Sequence, residues 1–68
     1  MNLAEGLKRA RKQRGKTQRD MAELLKISER GYQCYELGEH EPPISKLLVL
    51  ADYYGVSLDY LVGRSDDS

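Results

Sequence analysis

The sequence predicts a single all-α domain built from five short helices. Aliphatic side chains recur at helical spacing along the chain, and runs of β-branched residues are absent. Four of the six glycines follow directly after a periodic segment, where helices commonly end. The chain has 68 residues, which is room for one small core, and its single cysteine excludes an internal disulfide. We therefore expect a fold that depends on close helix packing, on a second subunit, or on both.

The first helix is predicted from about Leu3 to Arg14. Asn2 is a suitable N-cap, and Gly15 can adopt the left-handed conformation that ends a helix. The apolar face of this helix carries Leu3, Leu7 and Ala10.

The second helix is predicted to start at Thr17 and to end near Leu25. Thr17 and Asp20 have the spacing of a capping box, with Asp in place of the longer Glu. Lys26 and Ile27 then form a short link to the next helix.

The third helix is predicted over residues 29–36, with Ser28 as its N-cap and Gly38 closing it. Tyr32 and Tyr35 lie three residues apart and are expected to face the core. The opposite, outward side is then expected to carry Glu29, Arg30, Gln33 and Cys34.

The remaining elements are a loop and two helices. Two prolines bar a helix before Pro42, which predicts a loop over residues 39–43. A fourth helix follows over residues 44–54, and a short fifth helix over residues 58–62. The domain is thus expected to occupy residues 1–63, followed by a polar tail over residues 64–68.

The charge of the chain is balanced overall but strongly uneven along it. Lys and Arg number 11, as do Asp and Glu, yet residues 1–35 carry a net charge of +5 and residues 36–68 a net charge of −5. Seven basic residues and no acidic one fall between Lys8 and Arg19. Such asymmetry is typical of a protein that binds a polyanion, although a solvated helix face gives the same pattern.

Several classes of protein are disfavoured by the sequence. No apolar segment approaches the length of a membrane span, and no signal peptide is evident, so a cytoplasmic location is expected. One cysteine and one histidine make neither a metal site nor a plausible catalytic pair. We therefore expect that the protein is not an enzyme and that it binds no metal, cofactor or small-molecule ligand.

The second and third helices, joined by a short turn, predict a helix-turn-helix. Gln18 begins the second helix, where free backbone N–H groups favour a phosphate. On the third helix, Arg30 can pair with guanine, Gln33 with adenine, and Glu29 can accept from cytosine. Cys34 is a candidate for a base contact, although its small side chain is more typical of a half-exposed filler.

An ordered set of short motifs strengthens this interpretation. The set contains Thr17–Leu25 (TQRDMAELL), Ile27-Ser28, Tyr35-Glu36 with Gly38, Pro42, Leu50-Ala51 and Gly55–Leu61 (GVSLDYL). Together these segments resemble the phage-repressor helix-turn-helix family, whose members are Cro-like and repressor-like (xenobiotic-response-element) proteins.

The resemblance implies a five-helix domain that works as a dimer on two-fold double-stranded DNA. It further implies that Gln18 contacts phosphate. Its neighbours Lys16 and Thr17 are further candidates for DNA contact. The outward residues of the third helix would face bases. Arg11 and Glu36 would form a structural ion pair between the first and third helices.

Three positions depart from the family pattern. Lys26 stands where the family usually has glycine, the loop Glu39–Glu41 is acidic where it is often basic, and Gly31 weakens the third helix.

Two functions from different classes therefore remain. The first is a sequence-specific DNA-binding transcriptional regulator, and the resemblance to phage repressors favours a repressor. The second is a protein-interaction module, antitoxin-like or regulatory, with weak or no DNA binding. A homodimer is expected to use the fifth helix and the residues just before it, with Leu58, Tyr60 and Leu61 as candidate contacts.

Overall fold

The computed structural model describes residues 2–64. Within them the chain forms five helices and no strand, which confirms the predicted all-α fold: α1 (Leu3–Gln13), α2 (Gln18–Leu25), α3 (Glu29–Leu37), α4 (Ile44–Tyr54) and α5 (Leu58–Leu61). Helix boundaries differ from the predicted ones by one residue at the start of α2 and at the ends of α1, α3 and α5. The predicted polar tail lies outside the described residues apart from Arg64.

Each helix contributes one large, fully buried side chain to a single core. These side chains are Leu7, Met21, Tyr32, Leu50 and Leu61, with at most 1% of their surface exposed. Because every helix reaches the same core, none of the five can leave without exposing apolar surface to water. The short α5 is therefore part of the same core as the longer helices.

The helix starts are fixed locally by side-chain caps. Thr17 Oγ1 accepts from the backbone N–H of Asp20 at 3.0 Å, and the Asp20 carboxylate accepts from the N–H of Thr17 at 2.9 Å. Ser28 caps α3 by accepting from the N–H of Gly31 at 3.0 Å. The capping box predicted at the start of α2 is thus confirmed, and its order places Gln18 at the first helical position.

The ends of three helices are capped by cations from neighbouring helices. Arg9 donates to the carbonyl of Tyr60 at 2.7 Å, and Arg14 donates to the carbonyl of Tyr54 at 2.6 Å. Lys46 lies 3.4 Å from the carbonyl of Leu25, at the end of α2. A positive charge at a helix C-terminus is favourable, because the last carbonyls lack partners within the helix.

α1 and α5 approach each other closely at Gly6. A Cβ atom placed on Gly6 would overlap the backbone carbonyl of Leu61. Only glycine at this position allows the observed packing of α5 against α1.

Candidate nucleic-acid interface

α2 and α3 form the helix-turn-helix, and its turn is made without glycine. Lys26 adopts φ 59° and ψ 42°, the left-handed conformation in which the family has glycine. The N–H of Ile27 donates to the carbonyl of Ala22 at 3.0 Å, which closes the end of α2. The unusual residue at position 26 leaves the geometry of the turn intact.

The outer side of α3 presents two exposed candidates and one half-buried candidate. Glu29 and Arg30 are exposed, and Gln33 is half-buried. The opposite side packs Tyr32 into the core with none of its surface exposed, and Tyr35 packs against that core. The predicted division of α3 into an inner tyrosine side and an outer polar side therefore holds for these residues.

Cys34 departs from this pattern, and the expectation that it faces outward is wrong. Only 8% of its surface is exposed, because the chain after α3 folds back over it. The N–H groups of Glu39 and His40 both donate to the carbonyl of Cys34, at 3.0 and 3.4 Å. Burial, reinforced by a hydrogen bond to Glu39, raises the pKa of the Cys34 thiol. Cys34 is thus a packing residue covered by the loop.

The same loop brings an acidic side chain to the outer face of α3. A carboxylate oxygen of Glu39 lies 3.8 Å from the guanidinium of Arg30, with both side chains more than half exposed. An exposed pair of this kind is worth at most about 1 kcal/mol, so Arg30 remains available to a stronger partner. The acidic character of the loop is evident from the sequence, but its contact with Arg30 is not, since nothing in the spacing shows that the chain turns back.

Gln18 is held by a buried ionic network. Arg11 donates to both carboxylate oxygens of Glu36, at 2.7 and 3.0 Å, and to the carbonyl of Lys16 at 2.9 Å. Gln18 Nε2 donates to the same carboxylate at 3.1 Å. The side chains of Arg11 and Glu36 are only 11% and 3% exposed, so the structure contains the implied ion pair. Gln18 is therefore oriented at the start of α2 by a group that also ties α1 to α3.

Hydrogen bonds within this network shift the pKa values of its charged members. Burial alone would raise the pKa of Glu36, but hydrogen bonds from Arg11 and Gln18 outweigh burial and lower it. The hydrogen bond to Glu36 likewise raises the pKa of Arg11. The buried hydroxyl of Tyr32 lies beside Glu36 but has no well-aligned hydrogen-bond partner, and burial raises its pKa. Both members of the ion pair stay charged at neutral pH.

Lys16 and Thr17 directly precede Gln18 in the chain. The ammonium of Lys16 lies 6.0 Å from the centre of the Tyr53 ring, at the limit of a cation–π contact. Thr17 is exposed, and its hydroxyl oxygen already accepts from the N–H of Asp20.

The basic segment between Lys8 and Arg19 divides into two sets with different roles. Three arginines point to partners within the domain: Arg9, Arg11 and Arg14. The guanidinium of Arg9 also lies 4.1 Å from the centre of the Tyr60 ring. The other four basic residues are Lys8, Lys12, Lys16 and Arg19. Within residues 2–64 the three lysines make no ion pair, and the exposed Arg19 lies 3.7 Å from the Glu23 carboxylate on its own helix. Sequence spacing alone could not separate these sets, because the partners of the arginines lie far along the chain.

The dimer contacts expected on α5 are mostly wrong. Tyr60 is 6% exposed and Leu61 is fully buried, because α5 packs inward against α1. The Tyr60 hydroxyl donates to Gln13 at 2.7 Å. Leu58 is half-buried and packs against the same core.

Among residues 2–64, no cluster of His, Cys, Asp and Glu side chains is placed to hold a metal ion. No helix in that part of the chain is long and apolar enough to cross a membrane.

A family model described as helix-turn-helix matches residues 7–61 of this chain. The chain belongs to this helix-turn-helix family. The domain is 40% identical over 68 residues to the HTH-type transcriptional regulator ImmR of Bacillus subtilis, covering 100% of this chain and 54% of ImmR. It is 41% identical over 64 residues to RstR of Vibrio cholerae, the transcriptional repressor of the cryptic phage CTXphi, covering 94% of this chain and 57% of RstR.

A solved structure supports the same assignment. The crystal structure of a transcriptional regulator from Listeria innocua matches the domain with a TM-score of 0.86 and 39% identity, covering 97% of this chain and 62% of the other. The helix-turn-helix domain spans 54–57% of the length of ImmR and RstR. The resemblance inferred from the ordered motifs is confirmed.

Proposed function

We propose that this domain binds double-stranded DNA as part of a transcriptional repressor. The observation that carries the proposal is the outer side of α3. It presents Arg30 and Gln33, and the same helix supplies the Glu36 carboxylate that fixes Gln18 at the start of α2. The relatives named as a regulator and a phage repressor, at about 40% identity, support the same function.

In this proposal α3 enters the major groove and its outward side chains contact base edges. Arg30 would pair with guanine, Gln33 with adenine, and Glu29 would accept from cytosine. The N–H groups of Gln18 and Arg19, which the capping box leaves free, and the second amide hydrogen of Gln18 would face a phosphate. Lys16 and Thr17, which precede Gln18, would lie along the same phosphate strand.

The test begins with selection of a binding site from random DNA, followed by titration with the selected duplex. Replacing Arg30 or Gln33 by Ala should weaken binding by about 1–3 kcal/mol and relax the preference at one base pair. Gln18→Ala should weaken all sequences alike, since phosphate contacts carry no sequence information directly.

Arg64 provides a matched control for Arg30. It is an exposed arginine whose guanidinium lies 3.8 Å from the Asp59 carboxylate, just as Arg30 lies 3.8 Å from Glu39. Arg64→Ala should therefore leave base preference unchanged. Retention of the full preference by both Arg30→Ala and Gln33→Ala would refute the assignment of α3.

The alternative is a protein-interaction module, and the acidic loop is the observation that favours it. Glu39 already pairs with Arg30, and Glu41 adds a second exposed negative charge that would repel phosphate. If the loop only tunes affinity, Glu39→Gln should tighten DNA binding about threefold, because Arg30 is released. A wild-type domain that selects no DNA site at low salt would instead support the alternative.

The finer parts of the proposal concern assembly and location. Two copies on a two-fold operator would place their α3 helices about 34–36 Å apart, one turn of DNA. A role in DNA binding favours a cytoplasmic location.

A further inference from the structure

The solvent-facing side of α4 is the most apolar exposed surface of the domain. Ile44, Leu48, Val49 and Tyr53 are 61%, 50%, 42% and 44% exposed. Asp52 is the only charged residue among the exposed positions of this helix, in a chain of which 32% is charged. Surfaces of this kind mark interaction sites in soluble proteins.

The order of residues along this face is symmetric. At about 100° per residue, the exposed positions fall into three successive pairs, one for each turn of the helix. Each outer pair joins one apolar and one polar residue, and the central pair is wholly apolar: Ile44-Ser45, Leu48-Val49 and Asp52-Tyr53. Turning the helix end over end about its centre reproduces the same pattern of polar and apolar positions.

We propose that this α4 face binds the α4 face of a second copy of the domain, with the two helices antiparallel. A two-fold axis between Leu48 and Val49 would bring these two apolar pairs together at the centre. Ile44 would then lie against Tyr53 of the second copy. At both ends, the hydroxyl of Ser45 would lie opposite the carboxylate of Asp52 and could donate a hydrogen bond to it.

Two-fold contacts require a surface to match itself, since the same patch occurs on both subunits. The basic residues Lys8 and Lys12 on α1 would repel their own copies across such an axis. The acidic residues Glu39 and Glu41 of the loop would do the same. The α4 face avoids this repulsion, and its pattern favours a second copy over an unrelated partner.

The small size of the face predicts a weak dimer. Stable interfaces bury about 800 Å² per partner, and four side chains already half-buried in the monomer offer less than that. The inference rests on the proposed function only in that a two-fold operator would bring two copies together. Self-association of the free protein can be measured without DNA.

The experiment is sedimentation equilibrium of the full chain over a wide range of concentration. The wild type should show a concentration-dependent equilibrium between monomer and dimer. Ser45→Asp places two carboxylates opposite each other at both ends of the contact, and should raise the dimer dissociation constant about tenfold. Adding Asp52→Lys to that variant should restore the dimer, because each Asp would then face a Lys of the other copy.

Both substitutions suit the helix, since acidic residues favour its first turn and basic residues its last. Unfolding of the variants is therefore not expected, and circular dichroism verifies this. Lys12→Ala changes the net charge by the same single unit on the exposed side of α1, and should leave the dissociation constant unchanged.

Three outcomes would overturn the inference. They are a wild type that stays monomeric at every concentration with and without DNA, a dimer insensitive to Ser45→Asp, and a double variant that does not recover. DNA binding of the same samples is measured separately. DNA binding without a dimer would refute this inference alone, and a dimer that binds no DNA would refute the proposed function alone.

Discussion

α1 and α4 have the same length, 11 residues each, but their solvent-facing sides are chemically opposite. α1 exposes basic residues such as Lys8 and Lys12, whereas α4 exposes Ile44 and Leu48. Their inner sides are alike, since each contributes a fully buried leucine and a buried alanine to the common core. The difference teaches that packing constrains only the inner sides, and that the outer sides can differ according to what each helix binds.

The largest effect should follow a change on the inner side of α1, at the close approach between Gly6 and α5. Gly6→Ala would gain about 1 kcal/mol of helix propensity. However, the new Cβ overlaps the carbonyl of Leu61, and displacement of α5 should cost about 3 kcal/mol or more. Urea unfolding would measure the net loss.

Gly15→Ala is the control for this prediction. No atom lies within 4 Å of a Cβ at Gly15, so only its left-handed backbone (φ +66°) opposes the substitution. The expected loss is about 1 kcal/mol. Equal losses at Gly6 and Gly15 would show that the close approach to α5 is not what matters.

The next largest loss of stability should follow removal of the ion pair between Arg11 on α1 and Glu36. No ion pair of this kind involves α4 within residues 2–64. Arg11→Met leaves the Glu36 carboxylate buried without its partner, which should cost about 3 kcal/mol at neutral pH. A loss below about 1 kcal/mol would mean that Glu36 is solvated in the folded state.

The same ion pair predicts a pH dependence. The folded-state pKa of Glu36 lies below its usual value of 4.5, so its contribution to stability is present above that pH. This contribution is lost as the pH falls through the folded-state pKa. The Thr17 N–H lowers the pKa of Asp20, so Asp20 also stabilises the fold less as the pH falls. This loss is the same in the wild type and in Arg11→Met. The difference in unfolding free energy between wild type and Arg11→Met should therefore shrink under acid.

A smaller effect is expected for two basic residues near the point where the ends of α1 and α4 meet. One of them, Arg14, has a partner within the domain, and the other, Lys16, is a candidate for DNA contact. Lys16→Ala should reduce the salt dependence of DNA binding by about one counterion, with little change in stability. Arg14→Ala should leave the salt dependence unchanged and lower the unfolding free energy by about 1 kcal/mol, because the Tyr54 carbonyl loses its donor. Salt titrations and urea unfolding of both variants decide this, and a reversed pattern would contradict the division.

The smallest effect is expected on the outer side of α4. Ile44→Thr, at a position 61% exposed, should change the unfolding free energy of the dilute monomer by no more than about 0.5 kcal/mol. A loss above about 2 kcal/mol would place Ile44 in the core and remove the contrast with α1.

The five helices and their caps could be predicted from the sequence because their signals are local. Thr17 and Asp20, three residues apart, contain all that their capping box requires. The burial of Cys34 could not be predicted, since it depends on a loop that turns back after α3 has ended. The inward packing of Tyr60 could not be predicted for a related reason, because its partners Arg9 and Gln13 lie far away in the sequence, on α1.

The candidate site follows the same rule. The outward placement of Arg30 follows from the position of Tyr32 on the same helix. The contact between Arg30 and Glu39 joins two elements whose relative placement only the folded chain reveals. The role of Gln18 was implied by resemblance, and its hydrogen bond to Glu36 adds the physical reason for its orientation.

The contact between Gly6 and Leu61 also bears on how the chain folds. It joins the first and the last helix of the domain, and closing a loop of that length carries an entropic cost. A circular permutant that links the two ends directly and opens the chain within residues 39–43 would make this contact local. Such a permutant should fold faster than the natural order while keeping the same five-helix core.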